Sequence, residues 1–344
     1  MTGQIAQQFG NYRIIRLLGK GGFAEVYLGE HIHLNRKAAI KVQSTQLTDE
    51  DKEQFTKEAR TVANLQHPNI VRVLEFGLEK DTLFLVMDYA PNGSLREKHP
   101  GDTVLPVATV VSYVKQVAAA LQFAHDQHLI HRDIKPENML VGTSNEVLLS
   151  DFGLSVVNRS SRITNMEEKV IVGTPLYMAP EQFRNESRPA SDQYSLGIVV
   201  YKWLCGSTPF SGNPIQLAYQ HRDVMPLRLR DENPSLSPSI EQVVMTTLAK
   251  DPARRFASVQ AFAIALEQAS QEKSPPPRNI DSETLTFDAK TDTITTDATS
   301  DPLTTVPSIS SLPKDAQLNL DTLPPSDLFN RILREIGKNA RNAS

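Results

Sequence analysis

Cysteine is nearly missing from this chain. Among its 344 residues Cys205 stands alone, so an intrachain disulfide is excluded and a cysteine-based metal site is left without ligands. A surplus of either charge is missing too: 36 Lys and Arg oppose 40 Asp and Glu, a net charge of −4 with a pI near 6.1. That balance offers no electrostatic footprint for nucleic acid, and none is expected as a partner. No run approaches the roughly 18 apolar residues of a membrane span, and residues 1 to 10 are polar and glutamine-rich, without the apolar centre of a signal peptide. Together these absences predict a soluble chain without a transmembrane segment, in the reducing cytoplasm.

What is present is enough apolar material for a large core, 40% of residues, and a length that admits more than one domain. Residues 12 to 19, 24 to 30 and 38 to 42 alternate as strands, broken by glycines. A charged helix is predicted over residues 49 to 65, with Phe55, Ala59, Val62 and Ala63 on one face, stopping before His67-Pro68. Two further strands are predicted over 70 to 76 and 82 to 87, and Asn92-Gly93 marks a turn. From Pro106 the period changes. Val107, Val110, Val111, Val114, Val117, Ala118 and Leu121 recur at helical spacing, and helical patterns return over 191 to 205, 240 to 248 and 258 to 268. A strand-rich start and a helix-rich remainder predict two lobes rather than repeating βαβ units.

After Lys273 the composition turns to Thr, Ser, Asp and Pro, too poor in apolar residues to offset the entropy of ordering. A disordered linker is therefore expected over 273 to 325. A short amphipathic helix is expected over 326 to 341, with Ser326 and Asp327 as caps. Its Leu328, Phe329, Ile332, Leu333 and Ile336 lie opposite Arg331, Arg334 and Lys338.

Three segments carry chemistry. Gly19-Lys20-Gly21-Gly22-Phe23-Ala24-Glu25-Val26 sits between two predicted strands and precedes Ala38-Ala39-Ile40-Lys41, an apolar strand ending in a lysine. Alone the glycine-rich loop is weak evidence, because a tight hairpin also calls for glycine. His131-Arg132-Asp133-Ile134-Lys135-Pro136-Glu137-Asn138, with Asp151-Phe152-Gly153 after a short apolar segment, places a base, a cation and two metal-binding side chains close together. Each of these residues also has an ordinary reading, Asp and Asn as turn or cap residues and His131 as a core histidine. Their joint spacing is the equipment of phosphoryl transfer, a reaction that asks for positioning and charge neutralisation.

These segments, together with Ala179-Pro180-Glu181, resemble the motif set of eukaryotic-type protein kinases, and among them the Hanks-type serine/threonine kinases of bacteria. The resemblance runs from residue 12 to about 270 and implies an α+β, two-lobed protein kinase fold. A small antiparallel sheet with one helix (12 to 88) would sit over a larger, mainly helical lobe (91 to 272), after an N-terminal tail over 1 to 11. It implies ATP and Mg2+ as cofactors and protein serines or threonines as substrates.

In the roles the resemblance implies, Leu18, Gly19, Lys20, Gly21, Gly22, Phe23, Ala24, Glu25 and Val26 roof the nucleotide, with Val26 on the adenine. Ala39, Lys41 and Met87 line the pocket, and backbone groups of Asp88 and Ala90 read the base. Ala24 replaces the third glycine of the family pattern and is expected to permit close approach if its φ stays negative. Lys41 is expected to be held by Glu58, with Glu53 as the other candidate. Asp133 is the expected base and Lys135 the cation for the γ-phosphoryl group, while Asn138 and Asp151 are expected to hold Mg2+. Thr174 is expected to bond the catalytic aspartate and lysine.

Further expectations concern architecture and regulation. Glu181 is expected to pair with Arg255, Asp192 to cap a buried helix and bond the catalytic loop, and Cys205 to be inert packing. Arg132 before Asp133 implies regulation by a negative charge, either a phosphate on Thr164, Ser160 or Ser161, or the fixed charge of Glu168. The linker threonines beside acids read as a solvated tether, or as autophosphorylation sites for a phosphothreonine-binding reader. The rival to an active enzyme is a pseudokinase scaffold or nucleotide-dependent interaction module. Against it, Lys41, Asp133, Asn138 and Asp151 are all present.

Overall fold

Alternation in β4 (Lys37–Gln43) sorts the first lobe into two layers. The structure, a computed structural model, describes residues 7–21, 24–43, 48–79, 82–152 and 175–272. The expected linker and terminal helix lie outside them. Six antiparallel strands form one sheet in the order β1 (Gln8–Phe9), β2 (Tyr12–Lys20), β3 (Ala24–His31), β4, β6 (Thr82–Asp88), β5 (Val73–Glu79). In β4, Ala39 and Lys41 share a face; their cross-strand neighbours are Leu28 and Met87, and Val26 and Leu85. Ala39, Leu85 and Met87 join the main core, where Phe55, Ala59 and Val62 of helix α1 (Asp49–Ala63) also pack. Ala38, Ile40 and Val42 point the other way and build a separate small core with Phe9, Tyr12, Phe84 and Val86.

Two boundaries differ from expectation for local reasons. Residues 8 and 9, assigned to the tail, pair with Tyr12 and Arg13 as β1, a strand too short to reveal itself by alternation. The strand expected from residue 70 starts at Val73, because Ile70 and its neighbours are drawn to the larger lobe. There the Leu149 N–H donates to the Asn69 carbonyl and the Val71 N–H donates to the Leu149 carbonyl. Helix α1 ends at Ala63; Asn64 and Leu65 tighten onto the carbonyls of Thr61 and Val62.

The larger lobe is built around α3 (Val107–Asp126) and α4 (Pro189–Cys205), which follow the short α2 (Leu95–Lys98). By length and composition α3 could cross a membrane, yet Val110, Val114, Val117, Ala118, Leu121 and Ala124 are fully buried. They face α4 and α8 (Val259–Gln271), the last helix among the described residues. The short hairpin β7 (Met139–Val141) and β8 (Val147–Leu149), the helices α5 (Pro214–Asp223) and α6 (Leu229–Glu232), and α7 (Pro238–Thr247) complete the lobe. In α4 Gly197 lies against α7, where an added Cβ would meet the Thr247 methyl at 2.7 Å. Gly206, at φ 86°, ends α4 in the left-handed turn that favours glycine.

Arg255 satisfies all five of its guanidinium N–H groups. Nη1 and Nη2 reach the two Glu181 carboxylate oxygens at 2.7 and 3.0 Å, and the remaining donors bond the carbonyls of Ala190, Ala249 and Lys250. Ser191 Oγ donates to Glu181 as well, and both charged side chains are fully buried. Burial pushes the Glu181 carboxyl up, but the Arg255 bonds outweigh it and hold it below its usual range. His221, also buried, accepts from Tyr194 Oη at Nδ1 (2.9 Å) and donates from Nε2 to the Leu176 carbonyl (3.1 Å). Burial, with Lys250 nearby, pushes its pKa down to about 4.

Replacing Arg255 by Met leaves Glu181 buried without its counter-charge, and urea unfolding at neutral pH should register a loss on the order of 3–5 kcal/mol. His221 generates a pH dependence of definite sign. Its folded pKa lies below the unfolded 6.5, so the unfolded chain binds more protons between about 4 and 6.5. Stability contributed by the neutral ring is therefore present above that window and lost as pH falls through it, by about 3 kcal/mol. Urea midpoints between pH 7 and 4.5 should fall more steeply for the wild type than for His221→Gln; parallel slopes would contradict this.

Candidate active site

The loop after α3 is fixed by one carboxylate. Asp192, in the first turn of the buried helix α4, accepts from the backbone N–H groups of His131 and Arg132, each at 2.8 Å, and from His125 Nε2 at 2.8 Å. Its expected bond to this loop is present, but the expected cap is not. The N-cap position is Arg188, and the Asp192 side chain is spent on the loop. Arg132 takes the left-handed conformation at φ 70°, costly for a residue with a Cβ. His131 is fully buried, donating from Nε2 to the Ser150 carbonyl while Nδ1 accepts from the Asp133 N–H. Its ring lies 4.6 Å from that of Phe152, centroid to centroid. Its role is the expected one of packing.

Asp133 follows, and a 3-10 turn over Pro136–Asn138 brings Asn138 back to it. Asn138 Nδ2 donates to the Asp133 carbonyl at 2.8 Å and to Oδ2 at 3.0 Å, and Lys135 Nζ reaches the same Oδ2 at 2.7 Å. Oδ1 of Asp133 has no partner among the described residues. The Asn138 carbonyl also accepts from Ser150 N and Oγ, locking the turn onto the residue before Asp151. Asp151, at φ 64°, ends that stretch and meets Lys41 of β4, Nζ to Oδ1 at 2.8 Å. Burial pushes its carboxyl up, but the Lys41 charge prevails and holds it below the ordinary carboxylate range.

Two bonded groups, Lys41 with Asp151 and Asp133 with Asn138 and Lys135, thus meet in one cleft, joined through Ser150. The carboxylate seen on Lys41 is that of Asp151. The turn at Asp151 delivers that carboxylate directly to the lysine, and Glu58, the expected partner, lies half-buried on α1 beside Ala59. Of the roof, Ala24 keeps a negative φ, as its expected role requires, and its carbonyl accepts from the Gly21 N–H at 2.8 Å. Lys20 and Glu25 pair with each other across the hairpin at 2.8 Å, and Tyr27 Oη donates to Glu25. Leu18, set inward by a register shift between Leu17 and Gly19, and Val26 both pack on the main core. Gly19 is exposed, Met87 buried and Ala90 half-buried, and the Asp88 N–H is committed to the Arg72 carbonyl. Gly22, Phe23, Gly153, Ser160, Ser161, Thr164, Glu168 and Thr174 lie outside the described residues.

Residues 12–266 match the protein kinase domain. The chain belongs to that family. It is 33% identical over 264 residues to the serine/threonine-protein kinase PrkC of Bacillus subtilis, covering 76% of this chain and 40% of that protein. Against the serine/threonine-protein kinase PknB of Mycobacterium leprae it is 33% identical over 276 residues, 77% of this chain and 44% of that one. Against PknL of Mycobacterium tuberculosis the figures are 34% over 278 residues, 78% and 69%. The chain thus spans less than half the length of the first two of these relatives. The two-lobed kinase fold implied by the sequence is the fold found.

A protein kinase domain implies ATP as substrate and, typically, Mg2+. The donor set here fits such a hard cation. Both Nδ2 bonds of Asn138 go to Asp133 and Lys41 takes Oδ1 of Asp151, so Asn138 Oδ1 and Asp151 Oδ2 accept no hydrogen bond among the described residues. Sequence reasoning missed His125, which carries no motif signal beyond its place in the last turn of α3. It also missed Gln182, whose Nε2 donates to the Arg132 carbonyl. Cys205 is half-buried and its thiol is pushed up to about 12 by burial, in keeping with inert packing.

Proposed function

We propose that this chain is a serine/threonine protein kinase that transfers the γ-phosphoryl group of ATP to protein hydroxyls. The observation that carries the reading is the meeting of Lys41, Asp151, Asn138, Asp133 and Lys135 in one cleft. In this reading Oδ1 of Asp133 accepts the proton of the attacking serine or threonine hydroxyl, while Asn138 and Lys135 hold Oδ2. The hydroxyl oxygen bonds to the γ-phosphorus, the bond from that phosphorus to the β–γ bridging oxygen breaks, and ADP leaves with the electron pair. Lys135 offsets charge on the transferring group and Lys41 on the remaining phosphates. Asn138 and Asp151 would hold Mg2+, which supplies neutralisation of phosphate charge when bound. Preference for serine and threonine follows from the resemblance at Asp133-Ile134-Lys135-Pro136, with Thr174 in the role assigned to it above.

The reading carries a cytoplasmic, reducing location with no transmembrane segment in this chain, supported by its single cysteine and by the burial of α3. Residues 273 to 325 serve as a tether, and their threonines beside acids (Thr291, Thr293 and Thr296 near Asp292 and Asp297) are its candidate phosphate acceptors for a phosphothreonine-binding reader.

Incubation with γ-labelled ATP and Mg2+ tests the activity. The wild type should label itself and casein, and Asp133→Asn should lose at least about 100-fold in rate with its unfolding midpoint unchanged. Equal labelling would remove Asp133 as base, and no labelling by either would favour the scaffold. Phosphates counted by mass spectrometry on the full chain and on one ending at Lys273 test the tether. The full chain should carry more, and equal counts would exclude it as acceptor.

A further inference from the structure

Gln182 lies in the 3-10 turn Pro180–Arg184, beside Glu181 and half-buried. Its amide serves two different segments. Oε1 accepts from the Ala179 N–H at 2.9 Å, tying off the start of its own turn, and Nε2 donates to the Arg132 carbonyl at 2.9 Å, 50 residues away in sequence. With an N–H on one side and a carbonyl on the other, only this orientation of the amide satisfies both.

Resting on the kinase reading, we infer that Gln182 is a positioning residue for Asp133, acting on the peptide plane that joins Arg132 to it. That plane is rigid, so its orientation sets where the Asp133 side chain starts. Its N–H end is held, among the described residues, by a long bond to His131 Nδ1, at 3.3 Å. Its carbonyl end is held by Gln182 at a better distance. The plane also follows a left-handed residue, a conformation that persists only where surrounding groups impose it. Asp192 grips the N–H of Arg132 and Gln182 grips its carbonyl, so the strained residue is clamped from α4 on one side and from the Pro180–Arg184 turn on the other. Glu181, the residue before Gln182, is anchored by Arg255, which makes the turn a firm support.

The two halves of the amide can be separated. In Gln182→Glu the acceptor for Ala179 remains, but an ionised oxygen faces the Arg132 carbonyl. In Gln182→Leu both bonds go. The test uses the full chain, with casein as phosphoacceptor and with wild type and Asp133→Asn alongside. Near pH 7.5 Gln182→Glu should lose about tenfold in kcat, with KM for ATP unchanged and an unfolding midpoint close to wild type. Partial burial and the facing carbonyl favour the neutral form of the introduced carboxyl, so its deficit should shrink as pH is lowered toward about 5 and a growing protonated fraction donates to the Arg132 carbonyl again, and the Gln182→Leu deficit should not. Wild-type kcat in Gln182→Glu overturns the inference alone. So do deficits in both variants that track their midpoints and ignore pH. Failure of the wild type to label above Asp133→Asn overturns the kinase reading and this inference together.

Discussion

The Asp192 carboxylate is the constraint on which the rest of the site depends. It is almost completely buried, on a helix that is itself nearly all interior, and it accepts three hydrogen bonds from α3 and the loop after it. A buried carboxylate is tolerable only when its oxygens are so occupied, and here the partners that satisfy it are the backbone groups to be positioned. Through them a left-handed Arg132 is imposed, and Asp133 is presented at the cleft. The helix supplies the rigidity: Ser191 through Tyr201 are buried without interruption, and Gly197 lets α7 approach closely enough to hold it.

A second chain of bonds crosses the cleft. Asn138 joins Asp133 to the residue before Asp151, and Asp151 joins Lys41 of the sheet. Both halves of this chain turn on residues at positive φ, Arg132 and Asp151, which are neither glycine nor asparagine. Strain stored at such positions persists because surrounding bonds over-determine them. The arrangement keeps two cations and two carboxylates at short range in a partly exposed cleft, a placement that suits handling of polyphosphate charge.

Most of the cleft was legible before the structure, and the reason is physical. Phosphoryl transfer draws on few residue types, and Asp133, Lys135, Asn138 and Asp151 lie close enough in sequence for their spacing to be read. The bond from Lys41 to Asp151 was not foreseen, since nothing local in sequence says which carboxylates a lysine 110 residues away will meet. The strand period of β4 and the helical period of α3 were plain. Two-residue β1 and four-residue α2 and α6 were not, being shorter than any period that could reveal them. Gln182, His125 and Asn69 each reach a group distant in sequence through a side-chain bond, a contribution that single-sequence periodicity does not encode.

The two-faced sheet has a consequence for how this domain tolerates change. Ala38, Ile40 and Val42 feed an outer apolar layer while Ala39 and Lys41 face the cleft, so the same strand writes two messages on alternate residues. One added or deleted residue in β4 would exchange them, driving an ammonium into hydrocarbon and turning isoleucine toward Asp151. Chain length between β3 and β6 is thus as much a determinant of charge placement in this cleft as the lysine itself.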